Sequence, residues 1–116
     1  MTTFDNCLFC RMASGANPVE KVAENDLAFA IKDIHPRAPT HLLIIPREHI
    51  QDARHLQRSD EAVLGAIFAL AAEAGRGAAV HEDGYRLAFN VGEAAGMTIS
   101  HLHLHLLGGR PLGPEG

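Results

Sequence analysis

The chain has 116 residues and 47% apolar side chains, enough for one compact domain with a real core and too apolar for a disordered polymer. A formal charge of −4 leaves no basic footprint for phosphate-backbone binding, which argues against nucleic acid as a partner. No apolar run approaches the length of a membrane span, and the start, MTTFDNCLFC, lacks a signal peptide's charged head and apolar body, so a cytoplasmic protein without membrane contact is expected.

In chain order, CLFCRMASG reads as one or two helical turns ended by Gly15. Its two cysteines, three positions apart in a reducing compartment, point to metal or redox chemistry before a structural disulfide. The alternative is a pair of reduced cysteines packed as small hydrophobes. After Pro18, VEKVAE reads as a strand, Asn25-Asp26 as a turn and LAFAIKDI as the returning strand of a hairpin. HPRAPT is too proline-rich for a regular element, and HLLIIP follows as a buried strand closed by Pro46.

Residues 59–80 form the one long helix candidate, with Ser59 as N-cap and Asp60 and Glu61 in the first turn. Val63, Ile67, Leu70 and Ala74 make one apolar stripe; Leu64, Phe68 and Ala71 make an adjacent one. So wide an arc fits either a helix sunk in its own core or a second face buried against another subunit. Gly75 and Gly77 end or weaken the helix. YRLAFNV alternates as a strand, GEAAGMT is a glycine-bearing loop, and ISHLHLHLL is the final strand. The order predicts an α+β domain spanning residues 1–116. Its antiparallel sheet has about five strands, one long helix and a short N-terminal helix, with the helices on one face.

The final strand carries the chemistry. Side chains on a strand alternate faces, so Leu102, Leu104 and Leu106 go to the core while His101, His103 and His105 line the opposite face. Histidine is not a favoured strand residue, and three in strict alternation with an apolar counter-face point to a functional site. Several imidazoles serve either metal ligation or nucleophilic and acid–base catalysis.

HLHLHLL, residues 101–107, resembles the signature of the histidine triad (HIT) family, His-φ-His-φ-His-φ-φ with φ apolar. DIHPRAPTHLLIIPREHI, YRLAFNVGEAAGMT and LLGGR resemble further stretches of that family, the last favouring its Hint-like branch of purine nucleoside phosphoramidases. The resemblance implies a HIT-like fold, a homodimer with sheets joined across the interface, and hydrolysis of the P–N bond of nucleoside 5′-phosphoramidates through a nucleotidyl-histidine intermediate. Related activities on dinucleoside polyphosphates, nucleotidyl transfer, or a non-catalytic nucleotide- or zinc-binding adaptor are the alternatives. By the same resemblance His103 is the nucleophile, and His105, Thr98, Asn90 and the loop near Gly96 contact phosphate or leaving group. Asp33 takes the ribose hydroxyls, and Leu8, Phe9, Ile31 and Ile34 sandwich the base. Cys7, Cys10, His49 and His101 match a zinc set found in several members. The alternative is that His49 and His101 support proton transfer, which a zinc ion held there forbids. Such a zinc is structural, and the chemistry requires no cofactor. Met97 departs from a common glutamine, and the C-terminus lacks a tryptophan often found in the branch, so leaving-group contacts differ.

Overall fold

The computed structural model describes residues 6–114. The elements are α1 (Leu8–Ser14), β1 (Ala23–Glu24), β2 (Ala28–Lys32), β3 (Thr40–Pro46), α2 (Glu61–Gly77), β4 (Tyr85–Phe89) and β5 (Leu104–Gly108). Short 3-10 turns at Ala53–His55, Arg58–Asp60 and Glu93–Ala95 punctuate the connections. The strands form one antiparallel sheet in the order β1-β2-β3-β5-β4. The fold is therefore α+β with five strands, as expected. No described helix is long and apolar enough to cross a membrane.

The hairpin turns where the sequence places it. Asn25 Oδ1 accepts the backbone N–H groups of Leu27 and Ala28 at 3.0 and 2.9 Å, an Asx-type turn that starts β2. The strands are shorter than alternation suggests. The stretch VEKVAE contributes only two residues to the ladder, and regular pairing of the final strand begins at Leu104. Register then fixes the site: Leu43 lies opposite His105, and His105 opposite Ala88.

Two apolar clusters cover the two sheet faces. Ala28, Ala30, Leu42, Ile44, Leu102, Leu104 and Leu106 meet Val63, Ile67, Leu70 and Ala74 of α2. On the other face Phe9 and Met12 of α1 pack on Phe29, Ile31, Leu43 and Ile45. The helices thus sit on opposite faces, which corrects the expectation of a single helical layer. The physical reason is that α1 buries its own apolar pair on the side where the histidines stand. Ser59 is not the cap of α2. It lies inside the 3-10 turn, and the Asp60 carboxylate accepts the Gln57 N–H at 3.0 Å instead. The second stripe of α2 divides: Ala71 is buried, whereas Phe68 is 45% exposed and touches Phe89 edge-to-face. This face borders β4, an edge strand with every residue only half-buried.

Candidate functional site

The histidine row keeps its alternation although its first half is irregular. Leu102 N–H donates to Ile50 O at 2.6 Å, which ties residues 101–103 to the segment after β3. The three leucines enter the core beneath α2, and His101, His103 and His105 are buried on the α1 side. The His103 ring packs edge-to-face on Phe9 with centroids 5.1 Å apart.

Hydrogen bonds set the tautomers. His103 Nδ1 lies 2.7 Å from the His101 carbonyl oxygen, which accepts only, so Nδ1 carries the proton and Nε2 presents a lone pair. A second chain begins at a backbone donor. Arg37 N–H donates to His41 Nδ1 at 3.1 Å, which leaves the proton of neutral His41 on Nε2. That Nε2–H points at His105 Nδ1, 2.9 Å away, so His105 in turn holds its proton on Nε2. Asn90 Nδ2 stands 3.4 Å from His105 Nε2, and the two N–H groups are spaced to donate to a common oxygen. Burial pushes the pKa of His103 and His41 down and that of His105 down to about 4, so all three rings are neutral near pH 7. Repulsion from His103, His41 and Arg37 adds to the effect at His105. Asp33, His41 and His105 also cluster closely enough to suggest a cation site. The proton on His41 Nε2 makes this a hydrogen-bonded relay instead of a ligand set.

A cavity of about 400 Å³ opens over these groups. Leu8, Phe9, Ile31, Asp33, Ile34, Asn90, Gly96, Thr98, His103 and His105 all line it, so every residue expected to contact nucleotide is brought to one place. Ile34 is 86% exposed at the rim. Asp33 uses Oδ1 to accept the His35 N–H at 2.8 Å, and its Oδ2 lies 3.4 Å from His41 Nε2. A second cavity, about 570 Å³, lies beside the C-terminal end of α2; it shares Lys32 and Asp33 with the first, is lined by His41, and touches none of the triad. His41 is the member of this hydrogen-bonded chain that strand patterning misses. As the head of an apolar strand it reads as part of β3; the signal was a histidine opening a run of otherwise hydrocarbon side chains.

Cys7, Cys10, His49 and His101 converge at the foot of α1, with ligand atoms all within 4.8 Å of one another. Cys7 Sγ lies 3.2 Å from His101 Nδ1, and Cys10 Sγ lies 3.2 Å from His49 Nδ1 and 3.5 Å from His101 Nδ1. A tetrahedral zinc with bonds of about 2.3 Å to sulfur and about 2.05 Å to nitrogen needs sulfur–nitrogen edges of roughly 3.5 Å. His101 Nε2–H donates to Pro46 O at 2.8 Å, which orients the Nδ1 lone pair toward both sulfurs, the outer hydrogen bond a metal-bound histidine requires. Without a cation, burial and the neighbouring Cys7 push the Cys10 thiol up to about 12. The donor set and geometry fit zinc.

Comparison with known proteins agrees with this geometry. Residues 14–112 match the HIT domain, and the chain belongs to that family. It is 39% identical over 110 residues to the purine nucleoside phosphoramidase of Escherichia coli K12, covering 95% of this chain and 92% of that one. The fold superposes on a HIT family hydrolase from Clostridium thermocellum with a TM-score of 0.92 and 42% identity, over 97% of this chain and 98% of that one. A zinc-bound histidine triad family protein from Mycobacterium smegmatis superposes with a TM-score of 0.76 and 33% identity, over 91% of this chain and 76% of that one.

Proposed function

We propose that this protein hydrolyses nucleoside 5′-phosphoramidates, purine nucleosides preferred, releasing a nucleoside monophosphate and an amine. The observation that carries the reading is His103. Its Nδ1–H is pinned to the His101 carbonyl, and its Nε2 lone pair is directed away from that bond beside the donors of His105 and Asn90. A neutral imidazole approaches an anionic phosphorus without charge repulsion. His103 Nε2 bonds to the α-phosphorus as the P–N bond breaks, and the amine leaves with a proton drawn from solvent, so that His105 keeps its Nε2–H. The imidazolium so formed strengthens its bond to the His101 carbonyl. Water then attacks phosphorus and gives its proton to solvent as the P–N bond to His103 breaks, which returns His103 to its neutral form. The N–H groups of His105 and Asn90, with Thr98 and the Gly96 loop, hold the charge that develops on the phosphoryl oxygens. Asp33 takes the ribose hydroxyls, and Leu8, Phe9, Ile31 and Ile34 enclose the base.

Cys7, Cys10, His49 and His101 would hold one zinc ion, whose part is to clamp α1 and therefore Phe9 against the sheet. His49 and His101 then each commit Nδ1 to the metal, and His101 Nε2–H is held by the Pro46 carbonyl, so His101 has no ring nitrogen left for proton transfer. Phe68 and the half-buried β4 edge support a homodimer built through α2 and the sheet edge. His103→Ala is expected to abolish release of AMP from adenosine 5′-phosphoramidate while AMP still binds by calorimetry. Full activity in that variant overturns covalent catalysis by this ring, and parallel turnover of a dinucleoside polyphosphate tests the substrate class.

A further inference from the structure

Asp52 is a carboxylate buried outside the cavity, 1% exposed, in the segment that leads from β3 to α2. Its oxygens accept the backbone N–H of Arg54 at 2.9 Å, Arg54 Nε at 3.2 and 3.3 Å and Nη2 at 2.7 Å. His55 Nδ1 adds a contact at 2.9 Å. The fork-on-carboxylate arrangement locks the guanidinium, although the Arg54 side chain is 63% exposed. The locked group lies against Gly92. A Cβ at Gly92 would stand 3.3 Å from Arg54 Nη2, 3.5 Å from Nη1 and 3.6 Å from Cζ, and the glycine has φ of +81°. The backbone therefore requires glycine here, and a Cβ would crowd the guanidinium by a few tenths of an ångström.

Gly92 organises the loop that follows it. Its carbonyl accepts the N–H groups of Ala95 at 3.2 Å and Met97 at 3.1 Å, and Gly96 N–H closes onto Glu93 O at 2.9 Å. Asn90, two residues before Gly92, and Gly96 and Thr98 after it line the catalytic cavity; Asp52 and Arg54 do not. We propose that Asp52 and Arg54 are positioning residues: the clamped guanidinium is a rigid plate on which Gly92 seats the loop that aims Asn90, Gly96 and Thr98 at the phosphoryl group. The inference rests on the phosphoramidate reading above. A buried anchor matters because an unanchored arginine samples many rotamers, and small displacements of groups that act in the transition state are expensive in rate.

The test compares wild type, R54A, R54K, D52N, G92A and R54A/G92A by three measurements: kinetics on adenosine 5′-phosphoramidate, AMP affinity, and hydrogen exchange of the Ala95 and Met97 amides. R54A and D52N are expected to lower kcat roughly 10- to 100-fold, with KM and AMP affinity within about twofold. Both amides exchange faster in these variants. R54K does not restore the rate, because an ammonium group is neither flat nor bidentate. R54A/G92A loses less than the product of the two single losses, since the Cβ added at position 92 no longer has a guanidinium to press against. Wild-type rates and exchange in R54A and D52N, full activity of R54K, or independent losses in the double variant would each overturn the proposal. D52N keeps the shape of the side chain and decides the matter if R54A fails to fold. If wild type binds AMP but releases no amine, the phosphoramidate reading fails, and the Ala95 and Met97 exchange rates still test the seating of the loop.

Discussion

Replacing His41 by phenylalanine keeps a buried ring and removes both of its hydrogen bonds. His41 is 3% exposed, accepts from Arg37 N–H at 3.1 Å and donates to His105 Nδ1 at 2.9 Å. Without that donor His105 is free to carry its proton on Nδ1, and its Nε2 then turns a lone pair toward the phosphoryl oxygen that needs a proton donor. A hydrogen bond to a charged group contributes about 1.5–3 kcal/mol. Lost from the transition state, that is roughly 10- to 150-fold in rate at about 1.4 kcal/mol per decade. Steady-state kinetics of His41→Phe on adenosine 5′-phosphoramidate are expected to show kcat falling within that range. Imidazole ¹⁵N spectra should show the His105 proton moving from Nε2 to Nδ1. A kcat within about twofold of wild type, or a lost rate with the His105 tautomer unchanged, refutes the relay.

Purified protein is expected to contain one zinc ion per chain, read by elemental analysis. Removing it with a chelator, or by Cys10→Ser, should lower the melting temperature, because an ion bound only to the folded chain stabilises it; a metal-free protein with an unchanged melting curve refutes the site. Phe68→Glu is expected to convert a dimer into a monomer in sedimentation, and a mass unaffected by the charge places the interface elsewhere. Acid should weaken the fold in a defined window. An unfolded histidine protonates near 6.5, whereas folded His105 protonates at about 4, so the unfolded chain binds more protons between these values. Stability is therefore full above pH 6.5 and falls as pH drops toward 4, and a denaturation midpoint that is flat across that window contradicts the buried neutral ring.

The residues proposed to bear the chemistry were legible in the sequence because their signal is local. Alternation along residues 101–107 sorted leucines from histidines, since a strand-like segment presents successive side chains to opposite sides. The same rule works even where regular pairing has not yet begun, at His101 and His103. The cysteine pair was visible for a similar reason: three positions of spacing in one helical turn bring both thiols to one point. The turn at Asn25 and the end of α1 at Gly15 were equally local, each fixed by a side chain or backbone angle within a few residues.

What sequence pattern missed depends on partners far along the chain. His41 looks like the start of an apolar strand until β5 lies beside it and His105, 64 residues away, receives its proton. Asp52 and Arg54 look like a polar connection until Gly92 folds against the guanidinium. The position of α1 on the histidine face follows from Phe9 and Met12 meeting Phe29, Ile31, Leu43 and Ile45, a match of apolar surfaces that no short window contains. By itself, the sequence determined which side chains bring imidazole, thiol and carboxylate groups, and that three of the imidazoles fall on one side of the final strand. Only the tertiary structure decided which nitrogen of each ring holds its proton, because that choice is made by hydrogen-bond partners that long-range packing brings within about 3 Å.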